Sequence, residues 1–169
     1  YTFHLREGVK FSDGKDVTGE DWVYSITRSI EKGSWNSMLA SIDTVTAPDD
    51  KTVVIKLKNP SGAILSGLAG FFSVVTPKDY YSTADDDTLA NKPIGTGPFV
   101  LENWEKDVVM TFKKNPNYWD EGYPYADEIN FRVVPDTNTR AMQLMSGTLD
   151  MITGVDAQAE TLLKSDSSI

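Results

Sequence analysis

The stretch YTFHLREGVKFSDGKDVTGEDWVYSI, residues 1–26, decides how this chain is read. Tyr1, Phe3 and Leu5 alternate with Thr2, His4 and Arg6, the period of a strand with one face buried. Ser12-Asp13-Gly14 then signals a turn, because Asp-Gly readily takes positive φ. Thr18 reads as a helix N-cap whose hydroxyl accepts from an N–H three residues on. Glu20 and Asp21 fall in the first turn, where the helix dipole favours negative charge. Trp22, Val23, Ile26 and Ile30 form an apolar stripe at helical spacing, and Lys32-Gly33 closes the helix.

Working outward, Ile42 and Val45 lead into a turn at Asp49-Asp50, and Val53, Ile55 and Leu57 alternate as a second strand. Pro60-Ser61 opens a short apolar helix of about eight residues that ends near Gly70. Thr76-Pro77 marks another turn, and Asp85 to Asp87 reads as an exposed acidic tract; a lobe boundary is expected near residue 90. Beyond it, Phe99 to Trp104 and Val108 to Lys113 read as a hairpin, broken by Asn115-Pro116-Asn117. Ile129, Phe131 and Val133 form a further strand ended by Pro135. Asp136 or Thr137 caps a helix carrying Ala141, Leu144 and Met145, which Gly147 terminates. Leu149 to Ile152 reads as a short strand, and the tail from Gln158 as an unfinished helix.

The chain has 169 residues, 16 Lys and Arg against 25 Asp and Glu, and no cysteine. One domain, or part of two, fits that length, given roughly 150 residues per domain. A net charge of −9 without a basic cluster argues against a nucleic-acid partner, which needs cations to displace counterions. Zero cysteine excludes disulfides, thiolate zinc, iron–sulfur clusters and thiol catalysis. The longest apolar run, Ala63 to Val75, is interrupted by Ser66, Gly67, Gly70 and Ser73, and is shorter than the roughly 20 residues a membrane helix requires. The chain opens inside an apparent strand without Met and stops without a closing element, so it reads as a piece of a longer protein.

Few constellations carry chemistry. His4, the sole histidine, points with Thr2 and Arg6 on the outward side of its strand, and nothing near it resembles a nucleophile elbow. Gly95-Thr96-Gly97 lacks a third glycine and a Lys-Ser/Thr pair and runs into a strand, so it reads as a backbone turn rather than a phosphate loop. Asp13, Asp16 and Glu20 fail the calcium-loop spacing, and turn formation plus helix capping accounts for them. With 25 carboxylates, chance pairs are common, so counting them identifies no acid–base site. Trp35, just past a helix end, and Phe71-Phe72, after the short apolar helix, sit where either a core lid or a concave site draws on aromatic rings.

Four segments in this order, YTFHLREGVKFSDGKDVTGEDWVYSI (1–26), TVVIKLKNPSGAIL (52–65), PIGTGPFVLENW (93–104) and KKNPNYWDEGYPYADEINFRVVPDTNTRAMQLMSGTLDM (113–151), resemble the extracellular solute-binding proteins, family 5, of ABC transporters. The resemblance covers about residues 1 to 155. It implies an α+β fragment of a class II periplasmic-binding-protein-like, multi-lobed fold. Residues 1–90 would form a helix-rich accessory lobe, 91–155 the β-rich part of the first main lobe, and 156–169 the start of a crossover towards a second main lobe. It also implies a non-enzymatic monomer outside the cytoplasmic membrane, lipid-anchored or periplasmic, that hands a peptide ligand to an ABC permease without a cofactor or metal. Trp35, Phe72 and Ser73 are the positions similar to cleft-lining residues of relatives. Nickel chelates, sugars or opines remain open as ligands. Two rivals from other classes are a hydrolase using two carboxylates about 5 to 10 Å apart, and an interaction module with a large exposed apolar patch and no cleft.

Overall fold

The computed structural model describes residues 1–33, 36–71 and 73–165. Strands β1 (Thr2–His4), β2 (Ile42–Asp49) and β3 (Thr52–Leu57) form an antiparallel sheet in the order β1-β3-β2. The central strand buries Val53 and Ile55 on one face, as its alternation predicts. The β1–β3 register sets Phe3 opposite Val53, and Tyr1 extends the ladder by exchanging two 2.8 Å bonds with Ile55.

Helix α1 (Gly19–Lys32) starts and stops where its sequence says it should. The Thr18 hydroxyl accepts from the Asp21 N–H, the Asp21 carboxylate accepts from the Thr18 N–H, and Gly33 closes the other end. Gly19 is held close to the end of β2: a Cβ there would stand 2.7 Å from the Asp49 carbonyl oxygen and 2.8 Å from Ala47 Cβ. The inner face of α1 contributes Ile26 to a core with Leu39, Ile42, Val53, Ile55 and Ile64. A second cluster joins Phe11, Val17 and Val75, and Trp22 packs against both.

Leu39 reaches the core from a 3-10 turn, Asn36–Leu39. Helix α2 (Ile64–Leu68) is shorter than the eight residues expected from Pro60. The chain turns through Pro60–Gly62, and the helix begins only after Gly62, a poor helix former. Where a turn at Thr76-Pro77 was expected, Pro77 stays extended (φ −66°, ψ 117°) and immediately precedes helix α3 (Lys78–Thr83), whose first N–H donates to Asp21. The acidic tract is exposed, as expected, and Asp85 accepts from the Thr88 N–H to cap α4 (Asp86–Asn91).

A second sheet, in the order β4-β5-β6, contains the expected hairpin of β4 (Phe99–Glu105) and β5 (Val109–Lys114), followed by β6 (Glu128–Arg132). Helix α5 (Thr137–Met145) is capped by Asp136 and followed by Gly147 at φ 71°. Helix α6 (Ala157–Lys164) starts one residue before Gln158 and is capped by Asp156. The strand expected at Leu149 to Ile152 is absent, since apolar alternation produces a strand only where a neighbouring ladder accepts its backbone. The chain divides into two compact units, Tyr1–Asn103 with Thr111–Ile129, and Trp104–Met110 with Asn130–Ile169.

The crowding at Gly19 predicts a paired result. Gly19→Ala should lower unfolding free energy by about 1–3 kcal/mol in urea titrations, because its methyl meets backbone that cannot retreat. Gly62→Ala, where nothing lies within 4 Å, should change stability by less than about 1 kcal/mol.

Candidate functional site

Residues 73–76 leave regular structure, and exposure alternates from Ser73 to Val75. Ser73 and Val75 are buried, whereas Phe71 and Val74 are 76% and 59% exposed. Polar groups of α1 hold this stretch in place. The Ser25 hydroxyl lies 2.7 Å from the Asp21 carbonyl and accepts from the Thr76 N–H at 2.8 Å. The Asp21 carboxylate accepts from the Lys78 N–H at 2.9 Å. Each bond satisfies a backbone group that leaves regular structure at this point.

Of the three residues singled out from sequence, Trp35 and Phe72 lie outside the described residues. Ser73 is 8% exposed; its N–H donates to the Gly70 carbonyl at 3.0 Å, and its hydroxyl has no hydrogen-bond partner among the described residues. A buried hydroxyl without a partner is a cost to stability. The structure does bring the two flanking segments together. A Cβ on Gly67 would stand 2.9 Å from the Met38 carbonyl oxygen, so α2, which precedes Phe71, packs on the 3-10 turn that follows residue 35. Glycine at 67 was the sequence signal for this approach, and periodicity analysis passes over it.

The first unit also contains a cavity of about 460 Å³ that sequence reasoning missed. Phe3, Leu5, Trp22, Ile26, Leu68 and Val75 line it, with His4, Arg6 and Thr96 as its polar members. The Arg6 guanidinium lies 4.1 Å from the centre of the Trp119 ring, a cation–π contact. Apolar walls with a few polar groups suit non-covalent binding of a small solute or side chain.

The other motifs have local partners. Asp13 accepts from the Lys15 N–H, Asp16 pairs with Lys10 at 2.8 Å and Glu20 with Lys78 at 2.7 Å. No group of three or more His, Asp or Glu residues among the described residues could hold a metal ion. The Gly95 and Gly97 carbonyls accept from the Ser12 N–H and from Asn115 Nδ2, both at 2.8 Å, so this turn is spent on internal bonds. Hydrogen bonding and charge set the ionisation of several exposed groups. The Lys10 ammonium holds Asp16 below the ordinary aspartate value of 3.8. The Lys51 N–H does the same for Asp49, the Thr88 N–H for Asp85, and the Thr139 hydroxyl for Asp136. The Glu20 carboxylate raises Lys78.

Comparison with known proteins gives this geometry a class. The profile of the bacterial extracellular solute-binding proteins, family 5 (middle), matches residues 1–169, and the chain belongs to that family. It is 36% identical over 154 residues to Protein XP55 of Streptomyces lividans, covering 88% of this chain and 28% of that protein. The structure of the PBP AgaA from A. tumefaciens R10 in complex with agropinic acid superposes with a TM-score of 0.92 at 35% identity, covering 98% of this chain and 34% of that one. The ABC transporter-associated periplasmic binding protein DppA from Helicobacter pylori, in complex with the peptide STSA, gives 0.87 at 30% identity, covering 99% and 37%. The chain therefore spans about a third of the length of these proteins, and its fold is an α+β piece of a periplasmic binding protein.

Two measurements test this description. Ser25→Ala should destabilise the chain by about 1–3 kcal/mol by orphaning the Thr76 N–H, whereas Ser73→Ala should be neutral or stabilising. A lowered aspartate contributes stability above its unfolded value and loses it as pH falls through the folded one. The thermal midpoint should therefore hold from pH 7 to about 5 and drop below about pH 4 as Asp16, Asp49, Asp85 and Asp136 protonate. Lys78 has the opposite sign: its contribution is present below 10.5 and lost above its raised value.

Proposed function

We propose that this chain is part of the substrate-binding component of an ABC importer that captures peptides outside the cytoplasmic membrane and delivers them to a permease, without catalysing a reaction. Membership of family 5 over residues 1–169 carries the reading. The peptide-bound DppA structure, at 30% identity, supports the ligand class. In this reading residues 1–90 are an accessory lobe, 91–155 belong to the first main lobe, and 156–169 begin the crossover to a second. Trp35, Phe72 and Ser73 line the cleft, the two rings as rigid platforms. The agropinic-acid complex of AgaA supports a second reading, capture of a small opine-like solute by the same cleft.

Calorimetry of the full gene product against a library of short peptides decides between them. Exothermic binding of peptides, weakened about tenfold or more by Trp35→Ala or Phe72→Ala, is the expected result. Binding of agropinic acid with no response to any peptide would favour the second reading, and turnover of any ligand would overturn both. The 169 residues alone should show no peptide binding at micromolar concentration, because a clamp needs both faces to bury its ligand.

A further inference from the structure

In the second unit one guanidinium collects carbonyl groups that regular structure leaves unpaired. β6 ends at Arg132, and Pro135, which has no N–H, cannot continue a ladder. Residues 151–156 run without helix or strand until Asp156 caps α6. Between these segments stands Arg140, in the first half of α5. Its Nη1 donates to the Val134 carbonyl at 2.6 Å and the Pro135 carbonyl at 2.9 Å. Its Nη2 donates to the Thr137 hydroxyl at 3.1 Å and the Gly154 carbonyl at 3.0 Å. Gly154 has φ 66°, which favours glycine, and a Cβ there would stand 3.5 Å from Nη2.

We propose that Arg140 is a clasp: a positioning residue that straps residues 151–156 to the exit of β6 and so seats α6 on α5. A guanidinium is a rigid planar fork with five donors, so one side chain can hold two separate backbones at fixed spacing; an ammonium is a point charge and cannot. Helix α6 has eight residues, too few to persist without tertiary support. Its seat is tight, since Ala159 on α6 and Ala141 on α5 are both fully buried and the two helices pack together. The strap carries Asp156, whose carboxylate accepts from the Gln158 and Ala159 N–H groups, so the clasped segment runs straight into the first turn of α6. On the solute-binding reading the strap leads towards the second lobe, and the clasp fixes the direction in which the chain departs. That mechanical consequence rests on the reading above; the clasp itself does not.

Hydrogen exchange followed by mass spectrometry on the full gene product tests the clasp, with Arg140→Lys and Arg140→Ala as variants. Arg140→Lys keeps charge and reach but loses the fork, and it decides the matter if Arg140→Ala does not fold. The α6 amides, Glu160 to Lys164, should exchange at least about tenfold faster, a change of about 1.4 kcal/mol in local opening. Amides of α1 and β3 should keep their original rates. Unchanged α6 exchange in Arg140→Lys overturns the proposal, and so does equal acceleration in α1 and β3, which would make Arg140 an ordinary stability residue. A full gene product that fails to bind peptide leaves this result untouched, so the two readings fail separately.

Discussion

The carboxylate of Asp21 is the interaction on which the first unit depends. It is nearly buried, and it accepts from the Thr18 N–H, the Thr18 hydroxyl and the Lys78 N–H. Two of those bonds fix where α1 begins, which places Gly19 against the end of β2 and directs Ile26 into the core. The third fixes where α3 begins, and with Ser25 it holds the chain at Thr76, which follows Ser73. A buried carboxylate without such donors would be costly, so helix start, sheet contact and candidate segment stand or fall together.

The same economy governs the rest of the chain. Backbone that leaves helix or sheet is met by a side chain chosen for its bonding capacity. Asn115 is nearly fully buried, donates to the Gly97 carbonyl and accepts from the Asn117 N–H, and Asn117 reaches the Ser12 carbonyl. Asp85, Asp136 and Asp156 each cap a helix. Surface ion pairs add little to this, because exposed pairs are worth about 0–1 kcal/mol at best. The −9 charge is thus mainly a matter of solubility and of caps. Family 5 membership gives the charge no ligand to answer to.

Local signals were legible where one residue's chemistry decides the outcome. Thr18, Gly33, Asp136 and Gly147 mark helix ends in sequence and in structure. The β4–β5 hairpin and the alternation of β3 were readable for the same reason. Leu149 to Ile152 shows the limit: its pattern fits a strand, yet a strand requires a partner, and partners are not written locally. The acidic tract is exposed as its composition predicts, and only folding shows that Asp85 also caps a helix through the Thr88 N–H. In the candidate site, Ser73 could be singled out, but the burial of its hydroxyl, without a partner among the described residues, could not.

By itself the sequence determined β3, the β4–β5 hairpin, the ends of α1 and α5, the absence of thiol chemistry, and a family resemblance spread over ordered segments. Those depend on short-range rules, on composition and on motif order, which survive without coordinates. Tertiary structure alone decided that α2 packs through Gly67 on the turn after residue 35, that a 460 Å³ cavity lies beside β1, and that Arg140 gathers carbonyls on either side of α5. These are contacts between residues distant in the chain, or bonds whose acceptors are anonymous backbone oxygens. Gly67 marks a close approach without naming its partner, because every residue has a carbonyl and only the fold chooses which ones meet.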